Sequence, residues 1–145
     1  MRYLYPVTLV QDEDGQYVVT SSDVPEAITD GTSQEEALRE MGDALGAALA
    51  GYAIEGRDIP TPSEPEPGQR SVPVSPLVAA KLALRAALRE EGMTNVALAD
   101  RLGVTEGVVR RLLDPDHASR LDRVVIALAA IGRGLVVEDL KQMAA

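Results

Sequence analysis

The sequence predicts an α+β fold: an N-terminal antiparallel sheet of three or four strands with one helix, then an all-α region. Three observations carry this. The chain opens on apolar residues of period two, prolines crowd the stretch from Arg57 to Pro76, and beyond it the apolar spacing is helical.

Tyr3, Tyr5, Val7 and Leu9 alternate as on a half-buried strand. "QDEDGQ" then supplies an Asp14-Gly15 turn, and Tyr17 to Thr20 resume a β-prone run, so the two segments predict a hairpin. A third short extended segment, "EAITDGT", follows the bend at Asp23 to Pro25. In "TSQEEAL", Ser33 is placed as an N-cap and Glu36, three residues later, completes a capping-box pattern. Leu38, Met41, Leu45, Ala48, Leu49 and Tyr52 fall on one stripe of the helix that follows, which should pack on the sheet.

Between Arg57 and Pro76 lie six of the nine prolines, which remove backbone donors and bias their predecessors away from helix. The composition thus predicts a first domain over 1–60, a linker over 61–76 and a second domain over 77–145. Residues 71–75 can still add an edge strand to the first sheet. The second domain reads as four helices: "LVAAKLALRAALREEG" stopped by Gly92, "NVALADRLG" capped by Thr94, "EGVVRRLLD" capped by Thr105, and "RLDRVVIALAAIG" capped by Ser119.

The net charge of −9 is unevenly spread. Residues 1–75 hold four arginines against 14 acidic residues, a net of −10, whereas residues 76–145 hold ten basic and nine acidic residues, a net of +1. Two such halves suggest two partners. There is no cysteine, so disulfides and thiolate metal sites are excluded. The longest apolar run, Val124 to Ile131, is far short of the roughly 20 residues of a membrane span. The start "MRYLYPV" has no secretory pattern, and a soluble, cytoplasmic protein is expected.

Val96 to Leu113 has the outline of a DNA-binding helix-turn-helix. Ala99 suits the close crossing of two helices, Gly103 the turn, Val104 a plug beneath it, and Val109 with Leu112 or Leu113 the inner face of the second helix. An ordinary helical hairpin with glycine in its turn has the same outline. If the motif binds DNA, Thr105, Glu106, Gly107 and Val108 lead the second helix toward base edges, with Arg110 and Arg111 one turn on. Arg120 and Arg123 are placed for phosphate contacts. One copy carries few cations, so a homodimer or tetramer on a palindromic operator is expected.

An enzyme is not expected. Asp12, Asp14, Asp23 and Asp30 would suit magnesium-dependent phosphodiester cleavage, but Asp12 and Asp14 flank a hairpin turn and Asp23 precedes a proline bend, where aspartate is favoured anyway. The sole histidine, His117, lies between two helices with no second histidine to complete a ligand set. No glycine-rich phosphate loop and no nucleophile elbow occurs, and no cofactor is expected.

Taken together, "DEDGQYVV", "SDVPEAITDGTSQEEAL", "EGRDIPTPS" and the helix-turn-helix outline resemble the HicB-type antitoxins of bacterial toxin–antitoxin pairs. Asp23, Pro25, Thr29, Gly31 and Ala37 keep the family's outline, while Ser22 stands where it usually has proline and Glu26 where it has glycine. The resemblance implies a partial ribonuclease H-like domain without catalysis, a small basic HicA-type ribonuclease toxin as partner, and repression of the shared operon. An acidic first domain suits a basic partner. Asp12, Glu13, Asp14, Asp23, Glu26 and Asp30 are the candidate toxin contacts, because they gather at turns. The second reading is a stand-alone helix-turn-helix regulator whose first domain senses a ligand or only dimerises.

Overall fold

The computed structural model describes residues 1–141. Strands β1 (Leu4–Gln11), β2 (Tyr17–Thr20) and β3 (Ile28–Gly31) precede helix α1 (Gln34–Ile54); strand β4 (Arg70–Pro73) then leads into helices α2 (Pro76–Glu90), α3 (Asn95–Leu102), α4 (Glu106–Leu113) and α5 (Leu121–Ala130). The expected α+β class is the observed one. The four strands form one antiparallel sheet in the order β3-β2-β1-β4.

The hairpin forms where the alternation places it, with Leu9 opposite Val19 and Gln11 opposite Tyr17. Gly15 takes the left-handed turn position at φ 81°, and the Asp12 carboxylate accepts from the Asp14 and Gln16 amides. Tyr5, Val7 and Val19 point into a core closed by Leu38, Met41, Leu45, Leu49 and Tyr52 of α1. The apolar stripe read from the sequence is therefore the packing face of α1, with Ala48 only half-buried at its margin.

Ser33 caps α1 as expected, its hydroxyl accepting from the Glu36 amide at 3.1 Å. Glu36 departs from the expected box. Its carboxylate reaches one residue further back, to the Thr32 amide at 3.1 Å and the Thr32 hydroxyl at 2.6 Å.

The proline-rich stretch is more ordered than its composition suggests. Tyr5 donates its hydroxyl to Pro60 O at 2.6 Å, Asp23 accepts from both the amide and the hydroxyl of Ser63, and Gln69 donates to the Thr8 hydroxyl. Arg70 to Pro73 then pair with β1 at the sheet edge, where proline loses no ladder bond that the core needs. Pro76 sits at the first position of α2, where its missing donor costs nothing.

The buried residues fall into two groups that share α2. Leu82 completes the core beneath the sheet, whereas Ala80, Leu84, Ala87 and Leu88 join Leu98, Val109, Leu112, Val124 and Leu128 in a second, all-helical core. Two helix ends are closed by cations from elsewhere. Arg85 donates to Ala53 O at the end of α1, which has no basic residue of its own in its last turn, and Arg101 donates to Ala130 O at the end of α5.

Two cap expectations differ. The Thr105 hydroxyl makes no capping bond to α4, and α5 starts after Arg120, because Ser119 is engaged elsewhere.

Two glycine substitutions test this packing with opposite signs. A Cβ on Gly31 would lie 2.7 Å from the Ala37 backbone nitrogen, where β3 meets α1. Gly31→Ala should cost about 1–3 kcal/mol. A Cβ on Gly51, inside α1, meets nothing within 4 Å, and Gly51→Ala should gain about 0.5–1 kcal/mol by helix propensity. Chemical denaturation reads both; equal effects would contradict the described approach of β3 to α1.

Candidate functional site

The fold sorts the six acidic candidates between opposite ends of the sheet. Asp12, Glu13 and Asp14 sit exposed on the β1–β2 turn. Asp30 is exposed beside them, since β3 pairs Asp30 with Val18 and Gly31 with Tyr17 at that same end of β2. The exposed Glu35, in the first turn of α1 just after β3, adds a carboxylate that the turn-based reasoning missed.

Asp23 and Glu26 lie at the other end, in the β2–β3 connection, and are bound to partners within the domain. Asp23 holds Ser63, as described. Glu26 accepts a short hydrogen bond from the Tyr52 hydroxyl and pairs with Arg57 at 3.4 Å. The Arg57 guanidinium in turn stacks 3.7 Å from the Tyr52 ring centroid. These two acids thus clamp the exit of α1 and the proline-rich stretch to the sheet. Their spacing in sequence, 40 residues from Asp23 to Ser63, gave no sign of it.

The second candidate region is built by α3 and α4, joined through Gly103, Val104 and Thr105. Gly103 adopts the left-handed conformation that ends α3, at φ 67°. Ala99, Val109 and Leu112 are buried between the helices, as their positions suggest, while Leu113 is half-buried. Val104 differs. Its amide bonds Ala99 O, but its side chain is 38% exposed and does not plug the turn.

Of the residues read as DNA-facing, Thr105, Arg110 and Arg111 are exposed, and Glu106, Gly107 and Val108 are half-buried. Val108 packs against the helical core, which directs it away from solvent more than a base-reading side chain requires. Glu106 pairs with Arg110 at 3.6 Å and accepts from Asn95 at 3.4 Å, so its carboxylate is already balanced. Arg120 is exposed and paired with Asp122 at 3.1 Å; Arg123 is exposed on α5.

The carboxylate-nuclease reading finds no geometric support. Asp23 is separated from the hairpin acids by the length of the sheet, and among the described residues no cluster of three or more histidine, cysteine or acidic side chains is placed to hold a metal ion. The His117 ring meets the Ser119 hydroxyl at 3.1 Å from its Nδ1, and its amide bonds Asp114 O. No helix among the described residues is long and apolar enough to cross a membrane.

With this architecture in hand, comparison with known proteins defines the class: an antitoxin of a bacterial toxin–antitoxin system. Residues 4–83 match the family described as the HicB-like antitoxin of bacterial toxin–antitoxin systems. The chain is 38% identical over 133 residues to Antitoxin HicB 1 of Photorhabdus laumondii, covering 92% of this chain and 84% of that one. It is 35% identical over 131 residues to Antitoxin HicB of Escherichia coli K12, covering 90% and 95%, and 36% identical over 129 residues to Antitoxin HicB of Pseudomonas fluorescens, covering 88% of each. The chain belongs to the HicB-like antitoxin family.

The clamp at Glu26 sets a pH window. Donation from Tyr52, then backbone and Arg57 hydrogen bonds, lower the Glu26 pKa below its ordinary value of 4.5, and the same bond raises Tyr52 above 10.0. The carboxylate's share of stability is present above pH 4.5 and is lost as pH falls through the lowered pKa; the phenol's is present below pH 10.0 and is lost as pH rises through the raised one. Tyr52→Phe should therefore flatten both limbs of the melting-temperature profile. Unchanged limbs would show that the clamp carries no titration.

Proposed function

We propose that the acidic end of the sheet binds and neutralises a small basic HicA-type ribonuclease toxin, and that α3 and α4 form a helix-turn-helix through which the chain represses its own operon. The chain is taken to be a non-catalytic, cytoplasmic protein made of a toxin-binding part, sheet plus α1, and a DNA-binding part from Pro76 onward. The observation that carries the reading is the reach of the similarity to HicB antitoxins, which extends past residue 83 to about nine-tenths of the chain and so includes both halves.

The charge distribution supports the division of labour. Asp12, Glu13, Asp14, Asp30 and Glu35 present carboxylates at one end of the sheet, a surface suited to steering a basic protein. Asp23 and Glu26, bound to their own neighbours, contribute the shape of the domain instead. On the other half, exposed Arg110, Arg111, Arg120 and Arg123 supply phosphate or base contacts, with Thr105 and Gly107 at the leading end of α4 allowing close approach to the groove. Leu121, Val125 and Ile126 leave an exposed apolar stripe on α5 that suits a homodimer on a two-fold operator.

Two experiments test the reading. Co-expressed with a small basic toxin of the HicA type, to be sought in the reading frame beside its gene, the wild-type chain should relieve growth arrest. Reversing Glu13, Asp14 and Asp30 to lysine should slow association by about tenfold or more at low salt. A complex indifferent to that reversal would move the interface elsewhere. On DNA from upstream of the gene, Arg110→Ala and Arg120→Ala should each weaken binding by about 1–3 kcal/mol or lower the salt slope by about one, and Ile126→Lys should weaken it by splitting the dimer. No sequence-specific binding by the wild type would leave an antitoxin without a repressor function.

A further inference from the structure

Lys81 is fully buried, at 0% exposure, in the middle of α2. Its ammonium nitrogen lies 2.9 Å from Arg111 O, 2.9 Å from Asp114 O and 2.7 Å from the Ser119 hydroxyl. Two of the three partners are carbonyl oxygens, which only accept, so the arrangement uses the nitrogen as a donor throughout. Burial lowers its pKa and the Asp114 carboxylate opposes that shift.

The partners matter by location. Arg111 belongs to the last turn of α4, Asp114 is the residue that ends it, and Ser119 lies just before α5. α4 carries no side-chain cap at its start, where Asn95 meets Glu106 at 3.4 Å, and at its carbonyl end Lys81 supplies the charged contact. Ser119 also lies 3.4 Å from Arg111 O and meets His117, so both ends of the 114–119 connection are tied at Lys81. A positive charge at a helix C-terminus is favourable by the helix dipole, and the exposed Arg110 and Arg111 ride on that same last turn.

We propose that Lys81 is a positioning residue for operator recognition: from inside α2 it pins the end of α4 and the entry of α5, and so fixes where Arg110, Arg111 and Arg120 stand relative to DNA. The inference rests on the DNA-binding reading above. Lys81 itself touches no nucleic acid, being buried. Its removal therefore has a signature that loss of a phosphate contact does not share.

The test is a salt titration of operator binding with the full-length chain. Lys81→Met, which keeps the apolar stem and removes the donor, should lower operator affinity by about tenfold at every salt concentration, with the slope of log affinity against log salt unchanged. Toxin binding should stay at the wild-type level. Hydrogen exchange without DNA should show the amides at the end of α4 exchanging faster. Ser119→Ala, which leaves both carbonyl bonds, should give the same change in smaller measure and guards against a Lys81→Met chain that does not fold. Folded variants with unchanged affinity would overturn the role of Lys81 alone, as would a lowered salt slope, which marks direct phosphate contact. A wild-type chain that fails to bind the operator, while still binding toxin, would overturn the DNA reading and the role of Lys81 with it.

Discussion

The structure depends on one helix serving two cores. α2 gives Leu82 to the interior beneath the sheet and, on neighbouring positions, Ala80 and Leu84 to the helical interior. The same helix delivers two cations to two helix ends: Arg85 to Ala53 O of α1 and Lys81 to the carbonyls that finish α4. Each contact adds a charged donor at the carbonyl end of a helix, where the dipole favours a cation. Because these residues occupy adjacent turns of one rigid element, the sheet and the α3–α4 pair are held to a common frame rather than joined by a loose tether. Arg89, 3.8 Å from Asp58, adds a weak exposed contact to the same junction.

That constraint changes the meaning of the proline-rich stretch. As composition it is a linker; as structure it is strapped to the sheet by Tyr5, Asp23 and Thr8 and then becomes β4. Two acids near the strap take partners within the domain. Asp23 and Glu26 look, in the sequence, like the hairpin acids, but the fold gives them partners more than 25 residues away. At the opposite end of the sheet, Asp12, Glu13, Asp14 and Asp30 gather as a group of exposed carboxylates, a surface suited to attracting a basic partner.

Local patterns were legible in the sequence wherever the physics is local. The alternation of Tyr3 to Leu9, the Asp14-Gly15 turn, the Ser33 cap, the α1 stripe and the Gly103 turn all follow from spacing and residue type within a few positions, and all are present. What spacing did not show was which partner each polar group would choose. Thr105 and Ser119 have the composition of caps but make no such bond, since Ser119 turns to Lys81. Val104 sits where a plug is expected, yet remains exposed. Lys81 was hidden in "AAKLAL", where a lysine within an apolar run reads as an interruption of the stripe; its partners, some 30 to 38 residues on, become visible only once α4 and α5 pack against α2. The family membership follows from similarity over most of the chain, and the division between an acidic protein-binding end and an arginine-bearing helical end is the physical reading laid on it.

We propose that this chain offers two separate surfaces to two partners. The most direct measurement is amide hydrogen exchange of the full-length chain, alone, with a small basic toxin if one is encoded beside it, and with DNA from upstream of its gene. The protein partner should slow exchange around residues 11–20 and 28–36 and leave α4 unchanged, whereas DNA should slow exchange from residue 94 to residue 113 and leave the β1–β2 turn unchanged. Protection of α3 and α4 by the protein partner, or of the hairpin by DNA, would contradict it.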